Sequence, residues 1–291
     1  MPRISRPERS RRSKRLRWAT RLIGSSFALC GLPKAAFAQA SASEPTPLVL
    51  TLGVRAVHRS FEYHDPAAGL STLLSQTQPL GPSAFLQAYL FPAAFNSRGA
   101  LTNVGLAASY ELGLPTTAVF QGGTPEEKKL TSHASELFLG LRGRLPLGAH
   151  ELGLTAGYGQ QRYTLSGDEG APLVPDVEYD FARIAADASF RFDDLSLGAR
   201  LGTRLVEDTG GLRRDWFPAV KTRSLEAGVV LGYCVAPRIE VALGFDLTRY
   251  WFDFNPIPKN ADPRYVAGGA VDQYVAGWLG LRFSLEHGSA Q

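Results

Sequence analysis

Apolar and polar residues alternate with period two through ten stretches of this chain, and the connections between those stretches run long and short by turns. Period two puts successive side chains on opposite faces of a β-strand, so each stretch reads as a strand with one greasy face and one small or polar face. Leu48, Leu50, Leu52 and Val54 mark the first strand, and Leu86, Ala88 and Leu90 the second, which Pro92 is expected to interrupt. The third sets Val104, Leu106, Ala108, Tyr110 and Leu112 against Asn103, Gly105, Ala107, Ser109 and Glu111. The fourth sets Leu137, Leu139, Leu141 and Leu145 against Glu136, Phe138, Gly140, Arg142 and Arg144. Leu152, Leu154, Ala156 and Tyr158 give the fifth, and Ile184, Ala186, Ala188, Phe190 and Phe192 the sixth, with Arg183, Asp187, Ser189 and Arg191 on its other face. The seventh opposes Leu195, Leu197, Ala199 and Leu201 to Gly198, Arg200, Gly202 and Arg204. Leu225 to Tyr233, Ile239 to Leu247 and Val275 to Leu285 complete the set.

Short turns are expected near Asn96 to Gly99, Pro146 to Ala149, Asp193-Asp194 and Ala236 to Arg238. The other five connections are rich in Gly, Pro and charge: His64 to Pro82, Pro115 to Leu130, Ser166 to Asp176, Glu207 to Pro218 and Asp253 to Pro263. Many of the alternating stretches reach the roughly 9 to 11 residues a tilted membrane strand needs, while no run past the N-terminal segment approaches the roughly 18 to 20 apolar residues of a spanning helix. The expectation is one all-β domain, a single antiparallel transmembrane β-barrel of ten strands, with eight or twelve as alternatives. Periodicity by itself also fits a soluble barrel or sandwich whose apolar faces enclose a core. The regular strand length and ordered loop rhythm favour the membrane. An even strand count then puts both chain ends on the periplasmic side.

In this pattern the chain resembles the small bacterial outer-membrane β-barrel proteins as a broad class, over nearly all of the sequence past its N-terminal segment. Gly280-Leu281-Arg282-Phe283-Ser284-Leu285 looks like the C-terminal signal read by the barrel-assembly machinery. It departs from that signal at Trp278, where a polar residue is usual, and in the trailing His287 to Gln291. The resemblance implies outer-membrane lipid and that machinery as partners. Tyr110, Tyr158, Tyr233, Phe190, Phe192 and Phe283, near the ends of outward faces, are then expected to form aromatic girdles.

The N-terminal segment changes the charge argument. Arg11, Arg12, Lys14, Arg15, Arg17 and Arg21 precede the apolar run Leu22 to Leu32 and then Ala36-Phe37-Ala38, the layout of a secretory signal peptide spanning residues 1 to 38. Cleavage there leaves a barrel domain, residues 39 to 291, with 21 of the 31 basic residues and 26 of the 27 acids, a net charge of −5. The basic excess that would invite nucleic acid belongs to the exported segment, and nucleic acid is excluded as a partner. Of the two cysteines, Cys30 falls in that segment behind Leu29, a poor fit to lipoprotein processing. Cys234 is left as an unpaired, inward-facing filler.

Inward parity gathers nine cations, Arg55, Arg59, Arg142, Arg144, Arg183, Arg191, Arg200, Arg204 and Arg282. Eight acids share that face: Glu111, Glu136, Glu151, Asp187, Glu226, Glu240, Asp246 and Asp272. The near balance points to a charge-paired lumen, with Asp187 expected to contact Arg200 and Glu151 to contact Arg142 and Arg144 across their tight turns. Ten strands lie close to the eight whose interior side chains fill. Glycines on the same face, Gly140, Gly157 and Gly244 among them, either relieve curvature strain or leave room for water.

Catalytic and metal signals are sparse. The ten-strand surface proteases of outer membranes carry paired acids and a His-Asp pair at the rim. Here His64-Asp65 has no paired acids to join it, and His133 has no adjacent acid. His58, Ser60 and Glu62 share a face, but same-face neighbours on a strand stand about 7 Å apart, too far to pass a proton directly. The five histidines show no ligand spacing, so no metal and no cofactor is expected. Glu126 to Lys129 and Arg213-Arg214-Asp215-Trp216 mark loops that could meet a partner or lipopolysaccharide phosphate, with the loop partner unspecified. The functional expectation is a non-enzymatic envelope or surface-binding barrel. A narrow channel, or an enzyme acting on surface peptides or lipid, stands as the alternative.

Overall fold

A computed structural model describes residues 46–64, 75–97, 99–120, 128–166, 176–254 and 267–285. The expected signal segment and most of the long connections lie outside the described residues. Among the described residues eleven strands form: β1 (Leu48–His64), β2 (Gln76–Leu90), β3 (Val104–Gly113), β4 (Thr116–Phe120), β5 (Lys128–Leu147), β6 (His150–Ser166), β7 (Val177–Phe192), β8 (Leu195–Gly210), β9 (Lys221–Ala236), β10 (Ile239–Asp253) and β11 (Gly269–Leu285). Each pairs antiparallel with its neighbour, and β1 meets both β2 and β11, so the sheet closes on itself. β3 and β4 both lie between β2 and β5, separated by Leu114-Pro115, so the wall has ten positions. Closure leaves no edge strand among the described residues, which is what a sheet in lipid requires.

The outer surface shows why these residues prefer lipid to water. Leu139, Leu141, Leu154, Leu201, Val229 and Leu243 are each more than half exposed, and leucines, valines and aromatics ring the rest of the wall. An exposed apolar patch on a soluble protein seldom passes a few hundred Å². A continuous belt around a closed barrel is explained only by an apolar solvent. Tyr110, Tyr158, Phe190, Phe192, Tyr233 and Phe283 all point out of this wall, between 39% and 59% exposed. No helix among the described residues is long and apolar enough to cross a membrane.

Gly148-Ala149, Asp193-Asp194 and Pro237-Arg238 close two-residue turns at one end of the barrel. Gly148, Asp193 and Arg238 hold the left-handed conformation such turns demand, with φ of 68°, 51° and 74°. The connection after β2 differs from expectation. Pro92 falls outside that strand and opens a 3₁₀ turn over Pro92–Phe95, followed by another at Ala100–Asn103.

At the opposite end the strands run farther than the sequence pattern suggests. β5 has 20 residues and β1, β6 and β11 have 17 each, well beyond the roughly 9 to 11 that cross a bilayer. The expected loops shrink accordingly. β1 continues to His64 and β2 starts at Gln76, β4 occupies part of the Pro115 to Leu130 stretch, and β8 reaches Gly210 before one π-helical turn at Leu212–Trp216. The outward faces of these extensions carry Gln160, Arg162, Glu178 and Asp180, which are unsuited to contact with lipid, and the apolar alternation fades.

Candidate functional site

The inner face alternates with the lipid face, so it collects every charge the strands cannot show to lipid. From the tight-turn end, the first level is an open vestibule of about 660 Å³ lined by Arg142, Arg144, Arg191, Arg282, Glu151 and Asp187. Arg142 on β5 grips Asp187 on β7 with both terminal nitrogens, one at 2.8 Å, and bonds Glu151 on β6 at 3.0 Å. Its guanidinium also lies 4.3 Å over the Tyr89 ring. Arg282 holds Glu240 at 2.8 Å, with Ser196 donating to the same carboxylate at 2.9 Å and Arg191 more distant at 3.7 Å.

Two of the expected contacts are redirected. Asp187 and Arg200 are cross-strand partners in register, yet Asp187 pairs with Arg142 while Arg200 turns to Asp246 at 3.0 Å and Glu226 at 3.8 Å. Arg144 joins no acid among the described residues. It stacks 3.7 Å over Phe91 and donates to the carbonyls of Thr46 and Thr102 at 2.9 and 3.1 Å. An arginine reaches farther than a cross-strand neighbour, so register alone does not choose its partner.

At mid-height Arg55 bridges Glu111 and Asp246, and Ser83 donates to Glu111 at 2.7 Å. Higher still, Glu226 on β9 accepts from Arg183 at 2.7 Å and from Arg204 at 3.0 Å. Arg204 on β8 also crosses the lumen to Glu136 on β5, making two bonds of 3.0 Å, and donates to Gln161 and the Tyr250 hydroxyl. Each of the eight inward acids forms an ion pair with at least one arginine. A lone buried charge would cost several kcal/mol, so the pairing is what allows this face to pack.

The loop end joins two of the expected inward charges to an aromatic cluster that the charges did not announce. Arg59 (1% exposed) and Asp272 (0% exposed) form a bidentate pair at 2.9 and 2.8 Å, and the hydroxyls of Tyr179 and Tyr274 donate to the same carboxylate. Around them packs an aromatic cap that includes Phe61, Tyr179, Phe181, Tyr250, Phe252 and Phe254. Opposite walls touch here. Arg59 of β1 lies 3.7 Å over the ring of Tyr163 of β6, and Tyr179 of β7 stacks on Tyr250 of β10 at 4.2 Å. Leu212 and Phe217, from the connection after β8, drop into the cap, Phe217 stacking on Phe254 at 3.8 Å. These residues continue the inward parity of their strands, Arg59 to Phe61, Gln161 to Tyr163 and Arg183 to Phe181 to Tyr179. Following the period two residues farther finds them.

The inward glycines take neither expected role alone. A Cβ on Gly244 would sit 2.1 Å from the Trp278 ring, one on Gly159 2.6 Å from Phe181, and ones on Gly140 and Gly157 2.8 Å from Phe138. They are beds for aromatic rings laid flat on the inner wall. Trp278, the departure from the C-terminal signal, is one of those rings and packs edge-on to Phe85.

The catalytic candidates do not converge. His58 Nδ1 lies 2.8 Å from the Pro79 carbonyl, beside the bulge where β1 slips against β2. His64 ends β1 opposite Gly269, and Asp65 lies outside the described residues. His133 faces outward on β5, and His150 accepts from the Arg191 backbone N–H at the turn end. No group of three or more His, Cys, Asp or Glu among the described residues could hold a metal ion. Glu126 and Glu127 fall outside the described residues, while Arg213 donates to the Glu207 carbonyl at 2.7 Å.

No protein-family model matches the chain, and no curated protein matches it in sequence. Among solved structures it is similar to the outer membrane protease OmpT from Escherichia coli, at 14% identity and a TM-score of 0.47, over 85% of this chain and 100% of that one. The translocator domain of the autotransporter NalP from Neisseria meningitidis is similar at 10% identity and a TM-score of 0.41, over 82% and 88%. An outer membrane channel from Pseudomonas putida F1 follows at 12% identity and 0.40, over 84% and 98%. The activities in those names belong to those proteins. The closed wall, the lipid-facing belt and the polar interior place this chain in the broad class of bacterial outer-membrane β-barrel proteins.

Proposed function

We propose that the protein is a non-conducting, non-enzymatic barrel that serves the envelope through the surface its long connections present outside the membrane. The observation that carries this reading is the upper lumen, where Arg59 with Asp272, Arg204 with Glu136, and the aromatic cap join opposite walls. A continuous water path would have to break several buried ion pairs at once. The engagement of His58 Nδ1 with the Pro79 carbonyl supports the non-enzymatic part. In this reading outer-membrane lipid surrounds the belt and the barrel-assembly machinery inserts the chain. The short-turn vestibule faces the periplasm and the capped end faces out.

The test is single-channel recording on the refolded protein in a planar bilayer, with a heat-dependent gel shift to confirm the folded barrel. Silence from folded protein is the expected result. Reproducible conductance steps would overturn the reading and make the narrow channel the function, with the lumen arginines as its selectivity residues.

A further inference from the structure

Two arginines on the outer wall, Arg223 and Arg249, stand where the apolar belt ends, and neither forms an ion pair among the described residues. Along β10 the outward side chains run Ile239, Val241, Leu243, Phe245 and Leu247, and then Arg249 and Trp251. Along β9, read from its turn end, they run Tyr233, Leu231, Val229, Ala227 and Leu225, and then Arg223 and Lys221. Arg249 is ten residues from Ile239, and Arg223 is ten from Tyr233. At about 3.3 Å per residue and a tilt of about 40°, that is roughly 25 Å of height, the full thickness of the apolar band of such a barrel. Both arginines therefore lie level with the lipid headgroups at the loop end.

Register brings the two together. Arg223 is directly opposite Trp251, and Arg249 precedes Trp251 by two on the same face, so the arginines are diagonal neighbours. Such positions are about 7–8 Å apart, a gap that two guanidinium side chains close on one small anion. Arg249 lies 5.2 Å over the Trp251 ring, and that ring is 37% exposed, as suits an indole at the headgroup level. Other loop-end arginines are engaged. Arg162, at the same height on β6, holds Glu178 at 2.8 Å, and Arg214 is 3.9 Å from the same carboxylate. The acids on the β9–β10 side stand apart from the pair: Asp253 is one rung higher and opposite Lys221, Glu207 belongs to the end of β8, and Glu62 lies beyond β11 on β1.

We infer that Arg223 and Arg249 clamp the phosphomonoester of an outer-leaflet lipid, whose acyl chains run down the belt past Leu225 and Leu247. A phosphomonoester carries close to two negative charges and three acceptor oxygens, which two guanidinium forks match in charge and in geometry. A phosphodiester lipid brings a single charge and leaves one arginine uncompensated, so the pair selects the monoester. The site rests on the reading that the loop end faces out, and it does not depend on whether the lumen conducts.

The experiment titrates the refolded protein, in detergent micelles, with bisphosphorylated lipid A and counts the bound lipid by native mass spectrometry. The test variant is Arg223→Gln with Arg249→Gln, a change confined to the outer wall that leaves ladder and lumen intact, and Arg162→Gln is the control at the same height. A heat-dependent gel shift confirms that each variant has folded. The expected result is binding weakened about tenfold or more in the double variant and by less than about twofold in Arg162→Gln. Lipid A stripped of both phosphates should be retained no better by the native protein than intact lipid A is by the double variant. Equal retention of lipid A by the native protein and the double variant would overturn the site, and an equal loss in Arg162→Gln would replace the clamp with diffuse surface charge. Undiminished binding of the stripped lipid would overturn phosphate recognition, and phosphatidylglycerol bound as tightly as lipid A would overturn the choice of a monoester. Conductance steps from the same folded samples would overturn the closed lumen and leave this site standing.

Discussion

The two ends of the lumen solve one problem in two solvents. At the tight-turn end the pairs border an open vestibule: Arg142 and Glu240 are buried, but Arg191 is half exposed and 3.7 Å from Glu240, and Glu151 keeps a third of its side-chain surface exposed. At the loop end Arg59 and Asp272 are sealed under aromatic rings with almost no exposure. A charge pair in a wet vestibule is screened and gains little. A sealed pair is bound by the large cost of leaving either member alone. The difference teaches that the capped end is where the barrel's interior depends on each charge, although the turn end carries as many of them.

The sharpest way to break that contrast is Asp272→Ala. It strands the Arg59 guanidinium in an apolar surround and removes the acceptor for the Tyr179 and Tyr274 hydroxyls. The expected loss is about 3–5 kcal/mol, read as the urea midpoint of the refolded barrel. Replacing both partners, Arg59→Met with Asp272→Leu, should recover most of it, because no uncompensated charge remains. A small loss in the single variant would show that water reaches this level and that the cap is not dry.

A middle-sized effect tests how the inner wall is fitted. Gly244→Ala puts a methyl 2.1 Å from the Trp278 ring, which must leave its bed. Overpacking of this kind costs about 1–3 kcal/mol. A shift of Trp278 emission should accompany the lower midpoint. An unchanged spectrum and midpoint would mean that the ring is not held flat against the wall.

The barrel itself was legible because lipid enforces the period of two. Leu137, Leu139 and Leu141 announce their strand, and the tight turn at Asp193-Asp194 fixes the next pair. Beyond the bilayer that enforcement ends. The outward face of β7 carries Glu178 and Asp180 there, so the strand tops and the true loop lengths were hidden. The inward charges were legible as a set, but their partners were not. Arg142 skips a strand to reach Asp187, and Arg204 spans the lumen to Glu136, choices made by side-chain reach and the shape of the interior. The glycine beds needed the rings that fill them, and those rings sit on neighbouring strands far away in sequence.

The smallest expected effect closes the comparison from the wet side. Arg191→Gln removes a cation from the vestibule, yet Glu240 keeps Arg282 at 2.8 Å and Ser196 at 2.9 Å, so no buried charge is left alone. Arg191 is half exposed, its contact with Glu240 is long, and water can replace it. The urea midpoint should therefore move by no more than about 0.5 kcal/mol, with the residual shift vanishing as salt is raised. A loss near that of Asp272→Ala, insensitive to salt, would mean that the turn end is as dry as the cap. The vestibule would then be a second sealed core, and the contrast between the two ends would fall.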